Sequence, residues 1–321
     1  MSEAPIGVLV MAYGTASGPD DIERYYTDIR GGLAPSRQHL EDLRQRYAAI
    51  GNRFPLLDIT RRQAEGLERE LNGAGDRRFR AYLGMKHSPP FIADAVERMR
   101  ADGIERAVGI VMAPHWSAMS VETYVERVRA AVGDGPPAFA FVRSYHDHPA
   151  YIELLAGRIA RALAQLGPAE REGAAVVFSA HSLPVRTVED GTLRCKTCTV
   201  CETSCRYRDG LQETGDLVAK ELDLAHHTIA WQSAGRTADL WWGPPLEEVI
   251  LDLAERGHPA VVVCSAGFVA DHLEILYDLD VEAREIAEQA GIRFVRTEMP
   301  NDDPQFVAML ASVVREHVDH A

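Results

Sequence analysis

Short apolar runs alternate with amphipathic stretches along the whole chain. The runs at 6–12, 79–85, 107–113, 138–142, 174–178, 227–232, 260–265 and 292–297 are apolar at half or more of their positions, and Val recurs in those at 6–12, 107–113, 174–178 and 260–265. Runs of this length and composition read as strands, most of them buried on both faces. Between them, 20–30, 36–50, 60–71, 91–102, 120–132, 151–166, 209–224, 246–256, 271–290 and 304–318 read as helices. Leu40, Leu43, Tyr47 and Ile50 fall at helical spacing, as do Val121, Tyr124, Val125 and Val128. The helix at 60–71 is expected to begin at Asp58 or Thr60. Residues 185–208 have no clear periodicity. Strand–helix alternation from end to end predicts an α/β protein, with parallel sheets flanked by helices. At 321 residues the chain fits two doubly wound domains facing each other across a cleft.

The polar residues that follow the strands carry the chemical interest. Parallel strands of one sheet share a direction, so the residues just past them gather at one edge, where open α/β sheets bind ligands. Tyr13, Lys86, His87, His115 and His181 sit at such ends, and Glu274 lies slightly further on. The apolar run 174–178 leads into Ser179-Ala180-His181-Ser182-Leu183-Pro184, where Pro184 holds Leu183 extended. Read alone, His181 is equally a hydrogen-bonded residue closing a strand.

Glu274, Asp278 and Glu282 are four apart at the start of a helix and share one face. Such a row suits the binding and passage of a divalent cation. It also reads as a solvated acidic face.

Composition narrows the classes. A net charge of −14 argues against nucleic acid and anionic membrane surfaces as partners. No stretch approaches the roughly 20 apolar residues of a spanning helix. The N-terminus, Met1-Ser2-Glu3-Ala4-Pro5, lacks the features of a signal peptide, so a cytoplasmic location is expected. Four of the five cysteines, Cys195, Cys198, Cys201 and Cys205, have the spacing C-x2-C-x2-C-x3-C. In a cytoplasmic protein this density points to metal before disulfides. Four thiolates suit tetrahedral zinc or an iron–sulfur cluster, and the spacing equals a bacterial ferredoxin run without its proline. Neither a G-x-G-x-x-G nor a P-loop pattern is present, and no nucleophile elbow surrounds Ser179 or Ser182.

Three segments together resemble the ferrochelatases: Val10-Met11-Ala12-Tyr13-Gly14-Thr15, Ser179-Ala180-His181-Ser182-Leu183-Pro184, and 267–274, Gly-Phe-Val-Ala-Asp-His-Leu-Glu. Residues 21–26, Trp231-Gln232-Ser233 and Glu298-Met299-Pro300-Asn301 match as well. Tyr13 in its Ala-Tyr-Gly-Thr turn brings the likeness nearest to the bacterial enzymes that metallate coproporphyrin III. The resemblance implies two Rossmann-like domains, each a parallel sheet flanked by helices, with a porphyrin in the cleft between them. The first domain is expected at 1–113 plus 297–321, the C-terminal segment packing back on it, and the second at 114–296.

The implied reaction inserts ferrous iron, a substrate, into coproporphyrin III and releases two protons. His181 and Glu274 would handle the metal and the pyrrole protons, with Tyr13 on the opposite side. Asp278 and Glu282 match an outer acidic metal site. Arg30, Arg46 and Tyr124 match propionate-holding positions, and Tyr26, Lys86 and His87 join the expected substrate contacts. Family members with a comparable cysteine segment hold a [2Fe-2S] cluster, carried over here to Cys195, Cys198, Cys201 and Cys205, with [4Fe-4S] or zinc as alternatives. Two positions depart from the pattern: Phe54 stands where relatives often have serine, and Gly31-Gly32 replaces a basic pair. The expectation is a monomer with at most transient contacts to neighbouring haem-pathway enzymes. The alternatives are a protoporphyrin IX ferrochelatase, a cobalt chelatase, and a non-catalytic porphyrin or iron–sulfur binding protein.

Overall fold

The structure is a computed structural model that describes residues 4–73, 78–201, 205–235 and 237–320. Glu202, Thr203 and Ser204, inside the cysteine segment, and Met1 to Glu3 lie outside the described residues. In chain order the first half carries β1 (Ile6–Ala12), α1 (Ile22–Ile29), α2 (Arg37–Ala49), α3 (Leu56–Asn72) and β2 (Phe79–Met85). It continues with α4 (Ile92–Ala101), β3 (Arg106–Val111), α5 (Val121–Val132) and β4 (Ala138–Val142). Then come α6 (Pro149–Leu163), α7 (Pro168–Glu172), β5 (Ala175–His181), β6 (Pro184–Thr187) and β7 (Leu193–Cys195). Next are α8 (Arg206–Leu222), β8 (His227–Gln232), β9 (Leu240–Trp241), α9 (Leu246–Glu255) and β10 (Ala260–Cys264). A π-helix (Ile275–Ala283), α10 (Arg284–Gln289), β11 (Arg293–Arg296) and α11 (Pro304–His317) close the chain.

Two four-stranded parallel sheets form, with orders β2-β1-β3-β4 and β11-β10-β5-β8. The α/β reading therefore holds. Val8, Leu9, Val10 and Met11 of β1 and Val176, Val177 and Phe178 of β5 are buried, as strands covered on both faces require. In the first sheet the chain leaves β1 for β2 and returns to the other side of β1 for β3. In the second it leaves β5 for β8 and returns beyond β5 for β10. Each sheet thus has a switch point beside its first strand, the place where such folds open a ligand crevice. Tyr13 follows β1, His181 ends β5, and Glu274 follows β10.

Four local expectations need correction. The boundary drawn at 113 separates β3 from β4, yet these strands pair in register, Arg106 with Ala138 through Ile110 with Val142. By sheet membership the first half therefore runs through Val142. Residues 185–208 are not featureless: β6, β7 and β9 make a small antiparallel sheet whose strands are too short to leave a period. α3 starts at Leu56, straight after Pro55. The helix expected at 271–290 is a π-helix followed by α10. A further helix, α7, escaped the sequence because it has only five residues; the Gly167 amide donates to Glu170 Oε2 at 2.9 Å at its start.

α11 packs on α3, α6, β3 and β4, so the chain end returns across the first sheet. Arg315 donates to the Glu70 carbonyl at 2.9 Å, and the buried Arg158 meets Asp303 at 3.1 Å.

Candidate active site

Two close backbone approaches bring the strand ends to their places. At Gly14, φ is +103°, and a Cβ there would lie 2.7 Å from Ser88 Oγ, so the turn after β1 admits only glycine without strain. The turn is tied to β2 by Lys86 N to Ala12 O and His87 N to Tyr13 O, both 2.9 Å. Tyr25 Oη donates to Gly14 O at 2.9 Å. At Gly267 a Cβ would lie 2.5 Å from Ala180 Cβ, and its amide donates to Ser179 O at 3.0 Å. The loop after β10 is thereby pressed against β5, which delivers Glu274 to His181.

His181 Nε2 lies 3.6 Å from Glu274 Oε1, and about a third of each side chain is open to solvent (32% and 34%). The opposite ring nitrogen fixes the tautomer. Nδ1 contacts the Ser182 carbonyl, which only accepts, so Nδ1 carries the proton. The Nε2 lone pair is left to face Glu274 and the cleft. Burial lowers the proton affinity of His181, but the Glu274 charge and hydrogen bond outweigh it, and the pKa is raised. Burial raises that of Glu274, but His181, and then His272, win, and its carboxyl is held far below the ordinary range. His272 Nε2 stands 3.5 Å from Glu274 Oε2, while its Nδ1 donates to Ala270 O at 2.9 Å. Glu274 is thus a carboxylate between two imidazoles.

Tyr13 reaches in from the other sheet and is 43% exposed. Its ring lies 4.6 Å from that of His87, with Lys86 Nζ 5.8 Å from its centroid. Desolvation, then the charge of Glu274, keeps the phenol protonated. His87 is buried, donates from Nδ1 to Asp28 at 2.7 Å, and has its pKa lowered, chiefly by burial. Lys86 donates to Thr123 Oγ1 at 2.6 Å and lies 5.1 Å from the Tyr124 ring centroid. Burial, and then Arg127, pull the Lys86 pKa down to about 8. Tyr124 is only 4% exposed. Arg30, exposed at the end of α1, has its guanidinium 6.0 Å from the Tyr26 ring. Gly31 and Gly32 follow with φ of +66° and +90°, an abrupt helix stop in open space. Phe54 stacks on Tyr47 at 4.4 Å.

The acidic row continues outward on the π-helix. Asp278 is buried; burial and the Glu274 charge raise its pKa to about 7. Its Oδ2 accepts from Ser233 Oγ, and Arg46 Nη1 stands 3.6 Å from Oδ1. Arg46 also lies over Tyr277 at 5.0 Å, and Glu282 interacts with Tyr277. Arg46 therefore faces the acidic row.

His115, grouped with the others by its strand end, is elsewhere. It is buried against Thr214 (2.9 Å) and the His146 ring (5.3 Å), and burial drives its pKa down to about 3. Ser233 and His272 escaped the sequence as site residues. The signal available was positional: Ser233 follows a strand end, and His272 is two residues from Glu274. Gln232 is a third such case, since its Oε1 accepts from both Ser179 (2.8 Å) and Ser265 (2.9 Å) and binds the ends of β5, β8 and β10 together.

The fold is that of the metal chelatases. SirB from Bacillus subtilis with Fe3+ superposes with a TM-score of 0.59 at 10% identity, covering 98% of this chain and 96% of that one. CbiX, described as the terminal enzyme for biosynthesis of siroheme in denitrifying bacteria, gives 0.53 at 14% identity, with 97% and 98% covered. Within that architecture the chain belongs to the ferrochelatase family, whose profile matches residues 5–318. It is an enzyme of the metal-chelating lyase class. Proteins named coproporphyrin III ferrochelatase are similar throughout. That of Geobacillus kaustophilus is 44% identical over 317 residues, 98% of this chain and 96% of that protein. That of Bacillus subtilis is 42% identical over 317 residues, 98% of each.

Proposed function

We propose that the protein inserts ferrous iron into coproporphyrin III, forming coprohaem and releasing two protons. The observation that carries this reading is the His181–Glu274 pair, 3.6 Å apart at the switch point of the second sheet, with Tyr13 entering from the first. The choice of coproporphyrin III rests on the name borne by relatives 42–44% identical over nearly their full lengths.

In this reading the porphyrin lies in the cleft between the two Rossmann-like halves. The bare Nε2 of His181 accepts a pyrrole proton, and Glu274 stabilises the imidazolium formed. The iron enters along Glu282 and Asp278 toward Glu274, carboxylate oxygens suiting a divalent cation. Tyr13, a neutral phenol, approaches the metal from the opposite face. Arg30, Arg46 and Lys86 offer cations to the propionates, with Tyr26, His87 and Tyr124 shaping the same edge. These cations matter in a chain whose net charge is −14. The protein works as a cytoplasmic monomer.

The same reading gives Cys195, Cys198, Cys201 and Cys205 a [2Fe-2S] centre. What supports it is that all four thiols are buried, none is in a disulfide, and the sulfurs approach as two pairs, Cys195 to Cys205 and Cys198 to Cys201, at 3.1 Å each, without three of them drawn together. A disulfide needs about 2.05 Å. Arg194 donates to the Cys201 carbonyl, and Arg186 to that of Cys198 at 3.4 Å, so cations flank the thiolates. When bound, the centre supplies a covalent staple for a segment with little core of its own. Iron and acid-labile sulfide in equal amounts, two of each per chain on the [2Fe-2S] stoichiometry, support it; zinc without sulfide contradicts it.

The function is tested by anaerobic incubation with ferrous iron and either porphyrin. Faster metallation of coproporphyrin III is the expected result. Faster turnover of protoporphyrin IX reassigns the substrate. Failure with both, or full activity in His181→Ala, refutes the catalytic reading.

A further inference from the structure

The four-cysteine segment is anchored at both ends to the residues around His181. At its start, β7 pairs Cys195 with Val185 of β6, and the Lys196 amide donates to Pro184 O at 2.8 Å. At its end, α8 begins directly after Cys205, and the second residue of that helix is Tyr207. The Tyr207 hydroxyl donates to the main-chain carbonyl of His181 at 2.9 Å. Its ring is buried beside Trp231, centroids 5.4 Å apart, which fixes the direction of the phenol.

The contact bears on the imidazole. His181 is aimed by its own main chain, since Nδ1 donates to the carbonyl of Ser182, the very next peptide. Tyr207 holds the peptide before it. A rotation of the 181–182 backbone carries Nε2 away from Glu274.

We propose that Tyr207 is a positioning residue that makes the aim of His181 depend on whether the four cysteines hold their metal centre. This rests on the reading that they hold one. Ligation joins Cys205 to the other three sulfurs and so fixes the first turn of α8, and with it the phenol. Without the centre that turn keeps its helical hydrogen bond from Asp209 N to Cys205 O but loses its tie to the other cysteines, and the hydrogen bond to His181 is free to open. Linkage makes the effect reciprocal: whatever orders His181 also favours retention of the centre.

The test is hydrogen exchange on the full chain, with and without the metal centre, in the wild type and in Tyr207→Phe, which removes one hydroxyl and keeps the ring. Iron and sulfide content reports the centre separately. In the wild type, removing the centre should speed exchange at residues 179–185 by about 5-fold or more, the low end of typical coupling between sites. In Y207F exchange should already be fast with the centre in place and change little on its removal. For Y207F, kcat for metallation should fall about 5-fold, the scale of one hydrogen bond, with the KM for coproporphyrin III unchanged. Reciprocally, bound coproporphyrin III should slow the loss of iron to a chelator in the wild type and not in Y207F.

Exchange at 179–185 that ignores the centre, or responds equally in Y207F, overturns the link while leaving the centre intact. If Y207F does not retain the centre, equal chelator-driven iron loss from the wild type with and without porphyrin overturns it instead. Absence of iron and sulfide from the wild type refutes the reading of the cysteines themselves.

Discussion

His181 combines a fixed tautomer with an opposed carboxylate, and both features make predictions. His181→Ala should lower metallation by about 10²- to 10⁴-fold, the usual range for a lost general base, while coproporphyrin III still binds. Retained turnover would remove His181 from the chemistry. Glu274 is what raises the histidine's pKa against burial. Below that pKa His181 is charged and cannot accept a proton, so activity is lost as pH falls. In Glu274→Gln burial is opposed only by the Ser182 carbonyl and the Asp278 charge, and the titration of His181 by NMR should move to lower pH; an unmoved midpoint would mean that the pair does not interact. Lys86, with a pKa of about 8, loses its charge as pH rises past that value. The KM for porphyrin should therefore rise between pH 7 and 9 in the wild type and stay flat over that range in Lys86→Met.

His181 and Tyr13 were legible because each sits where a strand stops. Glu274 was placed less directly, by the acidic row it begins. The same rule misplaced His115, because it orders residues along a sheet edge and says nothing of depth. Ser233 was invisible in a catalytic sense, since its importance comes from meeting Asp278, 45 positions away.

Elements carry these side chains through contacts that periodicity does not encode. The π-helix keeps Asp278 toward Ser233 while Asp280 is gripped by Arg296 at 2.8 and 2.9 Å. A pattern of Leu and acidic residues at spacings of three and four fits α and π turns alike, so only its start was readable. The small sheet of β6, β7 and β9 was missed for a related reason: strands of two to four residues have no period to detect. Close approach is likewise absent from a sequence pattern. Gly267→Ala inserts a methyl where 2.5 Å is available, which should cost about 1–3 kcal/mol and push Glu274 away from His181. A lower Tm together with a lower kcat is expected, and a variant equal to the wild type in both would show that the loop is not pressed on β5. Cys198→Ser should lose bound metal and melt earlier, because buried thiols stand where this segment would otherwise need a core. Calorimetry beside metal analysis checks both, and an unchanged metal content would refute the ligand set.

At the scale of the molecule, two parallel sheets of like topology each offer a switch point, and the proposed function divides its residues between them: Tyr13, Lys86 and His87 from one, His181 and Glu274 from the other. Alternation of strands and helices made this architecture plain in the sequence, because the central strands β1, β5 and β10 are built on apolar runs. The division at 113 was not plain, because no change of composition marks it and β4 looks the same whichever sheet it joins. α11 ties the end of the chain back to α3, β3 and β4, beyond the reach of any local signal. The central claim is that this cleft metallates a porphyrin bearing four propionates. Steady-state metallation by ferrous iron under anaerobic conditions, run in parallel with coproporphyrin III and protoporphyrin IX, tests it most directly. A higher kcat/KM for coproporphyrin III is the predicted result; equal or faster turnover of protoporphyrin IX, or no metallation of either, would contradict it.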